Sequence, residues 1–171
     1  MTISRRRMTQ LAMASVAMPT GFAFAQSDSD PGGFSFASGI GSPVTNYDAE
    51  LNAVSTMTVT DVVANWEEYR EGYGPNEGLS YALVSIEHTN LSDQEISIHP
   101  YEIRLIDGYG RLPFESWSSA DNVEFFEEEL LLAAGATAVT NLLFDVADGA
   151  SPMMVMYLRG VGQYTFVYVG E

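Results

Sequence analysis

Few side chains in this sequence are suited to nucleophilic or acid–base chemistry at neutral pH. The chain has two histidines, His88 and His99, and it contains neither cysteine nor lysine. Serines are frequent, but none lies in the Gly-x-Ser-x-Gly pattern that presents the nucleophile of many hydrolases. His88 falls in an apolar, alternating segment typical of a satisfied core histidine, and His99 precedes Pro100 at a strand break. We therefore expect no catalytic residues and no enzymatic activity.

Carboxylates are plentiful but poorly placed for paired acid–base work. They crowd two stretches, one at Glu67, Glu68 and Glu71 and another over residues 124–129. A glycosidase needs two carboxyl groups facing each other about 5–9 Å apart, and these generally come from separate elements. Neighbouring glutamates in one segment instead predict a solvated acidic surface.

Methionines and histidines raise the question of a metal. Met153, Met154 and Met156, together with the histidines, are the ligand types that copper prefers. Four of the eight methionines, however, lie in the first 18 residues. On an alternating strand Met154 and Met156 share a face, as in a core strand that uses methionine to fill gaps. The acidic segments lack the Asp-x-Asp-x-Asp-Gly loop that organises calcium.

We therefore predict neither a metal site nor a cofactor. A small-ligand or metal-binding protein, carrying copper or calcium, remains the alternative. In that reading His88, His99 and Met156 are the candidate ligands.

Aromatic side chains are the most plausible binding material, since they make up 12% of the chain. Loops on a rigid scaffold often carry recognition, and tyrosine and tryptophan are favoured contact residues. The same side chains could also cap the open ends of a β-sandwich, and both interpretations stay open. The candidate partner-binding residues, all in predicted loops or strand edges, are Trp66, Tyr69, Tyr73, Tyr109 and Trp117.

The charge of the chain is strongly negative, and its few positive charges are unevenly placed. The formal net charge is −16, and all seven basic residues are arginines, three of them at positions 5–7. Without the first 25 residues, four arginines stand against 23 acidic residues, a net charge of −19. Such a body repels phosphate backbones and anionic lipid, which excludes nucleic-acid and electrostatic membrane-surface binding.

The first 25 residues have the pattern of an export signal. Three arginines precede an apolar run over residues 11–18, and Ala23-Phe24-Ala25 supplies a small-x-small ending. The run is far shorter than the ~20 apolar residues of a membrane-spanning helix. We predict cleavage after Ala25 by a twin-arginine-like or general secretory route, and a periplasmic or extracellular location without a membrane span.

The rest of the chain is β-like. Residues 26–55 are rich in Ser, Asp, Gly and Pro and predict a flexible arm. Later segments alternate with period two, for example residues 79–89 and 136–146, and are separated by turn residues such as those at 107–110. No βαβ pattern occurs. We predict one all-β domain over residues 56–171, an immunoglobulin-like antiparallel β-sandwich of seven to eight strands.

Two local features of the sequence each allow two interpretations. Residues 121–132 are ambiguous, because Val123, Phe126, Leu130 and Leu131 could share a helical face. Asn90-Leu91-Ser92 is the only glycosylation sequon. We interpret Asn90 as a strand-end asparagine that stabilises a turn, with glycosylation as the alternative.

Three segments carry a family resemblance. They are an alternating strand that ends at Asn90, a strand with an Asp-x-x-Gly turn over residues 103–111, and a glycine turn at Gly135 followed by the Phe144 strand. In this order, over residues 56–158, they resemble a telokin-like immunoglobulin-fold family. That family consists of small secreted or lipid-anchored prokaryotic domains, mostly uncharacterised. It defines no catalytic residues, and the acidic segment at 121–129 departs from its pattern.

A lysine-free, acidic domain should depend on salt, because dissolved ions screen repulsion among its carboxylates. We expect the thermal unfolding midpoint to rise from dilute buffer to molar salt. A midpoint that falls or stays flat over that range would contradict this prediction.

Overall fold

The alternating segments of the sequence form strands. In the computed structural model, residues 34–37, 39–159 and 163–170 are described, and the predicted export signal lies outside them. The described residues contain eleven strands: β1 Phe34–Ala37, β2 Val44–Tyr47, β3 Ala53–Ala64, β4 Leu79–Asn90, β5 Ile96–Ile98, β6 Ile103–Asp107, β7 Phe114–Ser116, β8 Leu130–Leu132, β9 Thr137–Ala147, β10 Pro152–Arg159 and β11 Gln163–Tyr168. A short 3-10 turn covers Pro100–Glu102.

The strands form two main sheets. One has four strands in the order β1-β11-β10-β6, and the other has five in the order β2-β3-β4-β9-β7. Strands β5 and β8 make a separate small pair. Every pairing is antiparallel except β1 with β11, which is parallel. The predicted immunoglobulin-like β-sandwich is confirmed. Within the described ranges, no helix is long and apolar enough to cross a membrane.

The structure has three strands more than the upper limit of the predicted seven to eight. Strands β1 and β2 lie inside the segment interpreted as a flexible arm, and β8 ends the ambiguous acidic segment. Each is only three or four residues long, too short to show a period in the sequence. The sandwich therefore extends upstream of residue 56, to Phe34.

A buried polar contact ties the early strand β2 to both sheets. Asn46 donates from Nδ2 to Ser55 Oγ on β3 at 3.2 Å. Thr165 on β11, in the opposite sheet, donates to Asn46 Oδ1 at 2.7 Å. Because a buried amide is costly when unpaired, these bonds fix β2 in place despite its polar composition.

The core lies between the sheets and is centred on the β4–β9 pair. Their ladder runs from Leu79 opposite Ala147 to Thr89 opposite Thr137. The alternation predicted for both strands is confirmed, since one face of each points into the core. The buried inner side chains of this pair are Ala82, Val84, Ile86, Leu142, Phe144 and Val146. Burying each large side chain of this kind stabilises the fold by about 1.5–3 kcal/mol.

The ambiguous segment 121–132 does not form a helix. Its apolar side chains serve two different clusters, because Val123 and Phe125 pack on one side of the five-stranded sheet while Phe126 and Leu130 pack against the core. The spacing of three to four residues between these apolar side chains therefore reflects a loop that passes around the edge of the sheet, not a helical face. Strand β8 then pairs with β5.

Asn90 is a buried anchor at the end of β4. Its Nδ2 donates to the carbonyl oxygens of Gln94 at 2.7 Å and Leu132 at 2.9 Å. Its Oδ1 accepts from the Ser92 backbone N–H and hydroxyl, each at 2.8 Å. The interpretation of Asn90 as a turn-stabilising residue is confirmed, and its amide is buried away from any glycosylating enzyme.

We expect Asn90→Asp to lower the free energy of unfolding by about 3 kcal/mol or more, because it removes two donors and aims a carboxylate at two carbonyl oxygens in a buried site. Denaturant titration at pH 7 measures this change. The control is Asn76→Asp at an exposed position, for which we expect a change within about 0.5 kcal/mol. Equal effects of the two substitutions would contradict the anchoring role.

Candidate binding surface

The outer face of the five-stranded sheet carries a second hydrophobic cluster. Tyr81 and Leu83 of β4 and Leu143 of β9 point away from the core and are covered by side chains from two long loops, 65–78 and 117–129. We call this cluster the aromatic layer: Trp66, Tyr69, Tyr81, Leu83, Phe125 and Leu143. Its rings meet edge to face, with centroids 5.7 Å apart for Trp66 and Phe125 and 5.6 Å for Tyr69 and Tyr81.

Polar contacts join the two loops above the aromatic layer. Arg70 donates from Nε to Asp121 Oδ1 at 2.7 Å, and its backbone N–H donates to the Ser119 carbonyl at 2.7 Å. Asn122 donates to the Glu68 carboxylate. Exposed ion pairs contribute little free energy, so their role here is to fix the relative position of the loops.

Two of the predicted residues, Tyr73 and Trp117, meet at the surface. Their rings are 5.4 Å apart and edge to face, and both side chains are exposed. The Tyr73 carbonyl accepts from Tyr81 Oη at 3.2 Å and Ser118 Oγ at 2.9 Å. Burial raises the pKa of Tyr81, so its phenol stays protonated and remains a donor. Hydrogen bonds from Tyr81 and Ser118 therefore fix the backbone of Tyr73, whose ring packs against Trp117 at the surface.

Next to the pair lies an open sheet edge. Among the described strands, β7 is the last of its sheet and pairs only with β9. Phe114 on this strand is 84% exposed, and Leu112 and Trp117 on either side are 55% and 58% exposed. We call Tyr73, Leu112, Phe114 and Trp117 the exposed apolar edge. An apolar edge strand of this kind is a ready contact for another chain.

Acidic groups lie beside the exposed apolar edge. A depression of about 300 Å³ next to Trp117 is lined by Glu115 and Glu127 together with Phe125 and other side chains. Burial raises the pKa of Glu115, opposed by the positive charge of Arg104. Asp145, opposite Phe114 in the ladder, has a buried Oδ1 without a hydrogen-bond partner among the described residues. The surface therefore combines aromatic and acidic character.

Tyr109, the fifth predicted residue, lies in a different turn. It is 68% exposed, its ring lies 4.8 Å from the Arg111 guanidinium, and its hydroxyl faces the Gly149 carbonyl at 3.5 Å. The turn depends on Asp107, which accepts from the backbone N–H groups of Tyr109 and Arg111 and from Arg111 Nε, each at 2.9 Å. Burial alone would raise the pKa of Asp107, but these bonds and the arginine charge outweigh it, so the pKa is lowered.

The structure thus separates the five predicted residues into three groups. Trp66 and Tyr69 belong to the aromatic layer, Tyr73 and Trp117 are exposed together above it, and Tyr109 lies apart. Sequence reasoning missed Leu112 and Phe114. Their signal was large apolar residues in a short segment after the turn at 107–110, too short to form more than an edge strand.

His88 is a core residue with a partner, as interpreted from the sequence. Its Nε2 lies 3.1 Å from Thr140 Oγ1, and its ring is 6.3 Å from that of Tyr157. Burial lowers the pKa of His88 to about 4, so the imidazole is neutral at pH 7.

His99 lies in a loop, also as predicted, beside a serine and a glutamate. Its ring stacks on Tyr101 at 4.8 Å, and its Nε2 lies 3.1 Å from Ser97 Oγ and 3.6 Å from Glu129 Oε1. Ser97 also donates directly to Glu129. In a catalytic triad the two imidazole nitrogens face the nucleophile and the carboxylate separately. Here one nitrogen faces both groups, which is a different geometry.

The metal-ligand types are distributed over separate parts of the fold. In the part of the chain that the structure describes, no three His, Asp or Glu side chains form a group able to hold a metal ion. Met154 and Met156 do share a face, but it is the outer face of the four-stranded sheet, whereas His88 is in the core. Alternation in the sequence indicates which residues share a face, not which face is inward.

Comparison with family models and with curated proteins finds no match. Among solved structures, the chain is similar to the secreted protein MPT63 of Mycobacterium tuberculosis, at 15% identity over 78% of this chain and 95% of that one, with a TM-score of 0.55. It is also similar to the yjhA protein of Bacillus subtilis, at 12% identity over 78% of this chain and 100% of that one, with a TM-score of 0.52. At such identities the likeness concerns the fold alone.

A third structure, the ycdA protein of Bacillus subtilis, matches at 12% identity over 61% of this chain, with a TM-score of 0.47. The chain spans only 31% of the length of that protein.

The buried His88 predicts a pH dependence of stability. Its pKa is about 4 when folded and near the ordinary 6.5 when unfolded, so the unfolded chain binds the extra proton between these values. The free energy of unfolding should fall by up to about 3 kcal/mol as pH decreases from 6.5 to 4, with no further loss from this group below pH 4. Denaturant titrations of wild type and His88→Gln isolate this effect from carboxylate titration. Parallel pH profiles for the two proteins would contradict it.

Proposed function

We propose that this chain is an exported, non-enzymatic immunoglobulin-like module that binds a protein or cell-surface partner through the exposed apolar edge. The arginine-led apolar start of the sequence supports export. The resemblance to telokin-like domains and the shared fold of the secreted protein MPT63 point the same way. The location outside the cytoplasmic membrane is part of this proposal.

The observation that carries the binding role is the exposure of Leu112, Phe114 and Trp117 along one sheet edge. Large apolar side chains exposed close together along an edge strand are typical of interaction sites. Trp117 is the expected anchor, because rigid aromatic side chains supply much contact area at low entropic cost and dominate binding energy. Tyr73, held by hydrogen bonds from below, supports its ring.

The charge of the surface restricts the partner. Glu115 and Glu127 line the depression beside Trp117, and the half-buried Asp145 lies opposite Phe114. Long-range repulsion by the acidic domain disfavours polyanions. A partner that presents an apolar segment flanked by basic residues fits this surface, and nucleic acid does not.

Affinity capture from a native cell-envelope extract tests the proposal with two matched exposed aromatics. We expect Trp117→Ala to weaken binding of the captured partner at least ~30-fold, the effect of a hot-spot residue. Tyr109→Ala, which removes an equally exposed ring from a separate turn, should leave the affinity unchanged.

Two outcomes would contradict the proposal. Equal affinity of wild type and Trp117→Ala would remove the exposed apolar edge as the binding surface. The absence of any specific partner at all salt concentrations would remove the binding role itself.

A further inference from the structure

A cleft of about 510 Å³ lies at one end of the sandwich, between residues of the two main sheets. Its walls come from strand ends, since Val62 and Ala64 end β3, Met153 lies at the start of β10 and Val169 follows β11. We call this space the end cleft. Its volume falls in the range of about 300–1,000 Å³ that is typical of small-molecule sites. Its apolar lining includes Ile40, Val62, Ala64, Pro152, Met153 and Val169.

Each main sheet carries a β-bulge where it borders the end cleft. The register of β3 with β4 shifts by one residue between Val59 and Asp61, directly before Val62. The register of β10 with β6 shifts between Pro152 and Met154, so the extra residue is Met153 itself. A bulge bends its strand and re-aims side chains, and bulges recur beside functional sites. The two bulges therefore shape the end cleft from opposite walls.

Backbone hydrogen bonds fix the wall of the end cleft that the four-stranded sheet supplies. The Met153 carbonyl accepts from the N–H groups of Val169 at 2.8 Å and Gly170 at 3.1 Å. The Ser151 carbonyl accepts from the Gly108 N–H at 2.9 Å. All five residues line the cleft. A wall held in this way is formed before a ligand arrives, so binding does not have to order it.

Charge restricts what the end cleft can hold. The chain has 23 acidic residues and seven arginines, yet no side chain of the described lining carries a charge. A charged ligand would lose hydration in the cleft without gaining an ionic partner, and this costs free energy. The acidic chain also repels anions at long range. The lining therefore favours an uncharged molecule, and the flexible side chain of Met153 can adapt to its shape.

We propose that the end cleft binds a small uncharged apolar molecule, whose body lies between the ends of the two sheets. Removal of apolar surface from water on both the ligand and the lining supplies the driving force. This site is separate from the exposed apolar edge, because β4 and β9 lie between β3 and β7 in the sheet. A small ligand and the proposed partner can therefore be bound at the same time.

Two related dyes test both the site and its preference for an uncharged ligand. N-phenyl-1-naphthylamine is uncharged and fluoresces strongly in apolar surroundings. We expect saturable binding of one molecule per chain when the full chain is titrated into this dye. For a ligand of about 17 non-hydrogen atoms, the expected dissociation constant is roughly 10–200 µM. The anionic dye 8-anilino-1-naphthalenesulfonate has the same rings and should bind at least ~10-fold more weakly.

A matched pair of tryptophan variants locates the uncharged dye. Ala64→Trp places a large side chain in the end cleft from an exposed strand-end position, and it should weaken binding at least ~10-fold. Val63 is the neighbouring residue, 38% exposed and outside the lining. Alternation along β3 places its side chain on the opposite face, so Val63→Trp should leave the affinity unchanged. Thermal unfolding of both variants confirms that they are folded.

A second pair does not depend on tolerance of a large side chain. Ile40 and Leu51 are each 45% exposed, and of the two only Ile40 lines the end cleft. Ile40→Asp should weaken binding of the uncharged dye at least ~5-fold, because it places a carboxylate in the apolar wall. Leu51→Asp adds the same charge elsewhere and should have no effect.

Three results would overturn the proposal. The first is no saturable binding of the uncharged dye to wild type, and the second is equal affinity of wild type for the two dyes. The third is equal affinity of Ile40→Asp and Leu51→Asp for the uncharged dye.

Discussion

The pairing of β4 with β9 is the constraint on which both sides of the molecule depend. Eleven consecutive register positions join the two strands, and the pair carries buried side chains on both faces. Phe144 and Val84 point into the core, whereas Leu143 and Leu83 support the aromatic layer outside. A slip of one residue would exchange these two sets and leave neither cluster with the shapes that fill it. The exposed apolar edge depends on the same ladder, because β9 is the one partner of β7 within the described part of the chain.

Much of the fold follows from alternation that can be read in the sequence. Residues 79–89 and 136–146 alternate over enough positions to define two faces, and the structure uses those faces as predicted. Shorter strands escape this reasoning, since three or four residues show no period. Strand β2 is held by Asn46, which bonds Ser55 nine residues later and Thr165 119 residues later in the chain. The segment at 121–132 is ambiguous in the sequence for a different reason, because its apolar residues divide between two clusters.

The candidate binding surface was only partly predictable from the sequence. Among the loop aromatics, Trp66 is buried over the outer face of the sheet, whereas Trp117 is exposed. Composition could not separate them, because burial depends on how two distant loops meet over one sheet. Phe114 is exposed because β7 ends its sheet, which is a property of topology. The outward orientation of Met156 could not be predicted either. Alternation shows which residues share a face of a strand, but not which face points to solvent.

The parallel pairing of β1 with β11 has a consequence for the order in which the fold can be completed. The paired residues are about 130 positions apart in the chain, and contacts of such long range are slow to form. Strand β11 lies between β1 and β10, so until residues 163–168 are available β1 has no partner among the described strands and β10 has only β6. During synthesis from the N-terminus, β1 therefore cannot pair until β11 has been made. Until then only β6 and β10 face the five-stranded sheet, and the part of the core that β1 and β11 cover stays open to solvent.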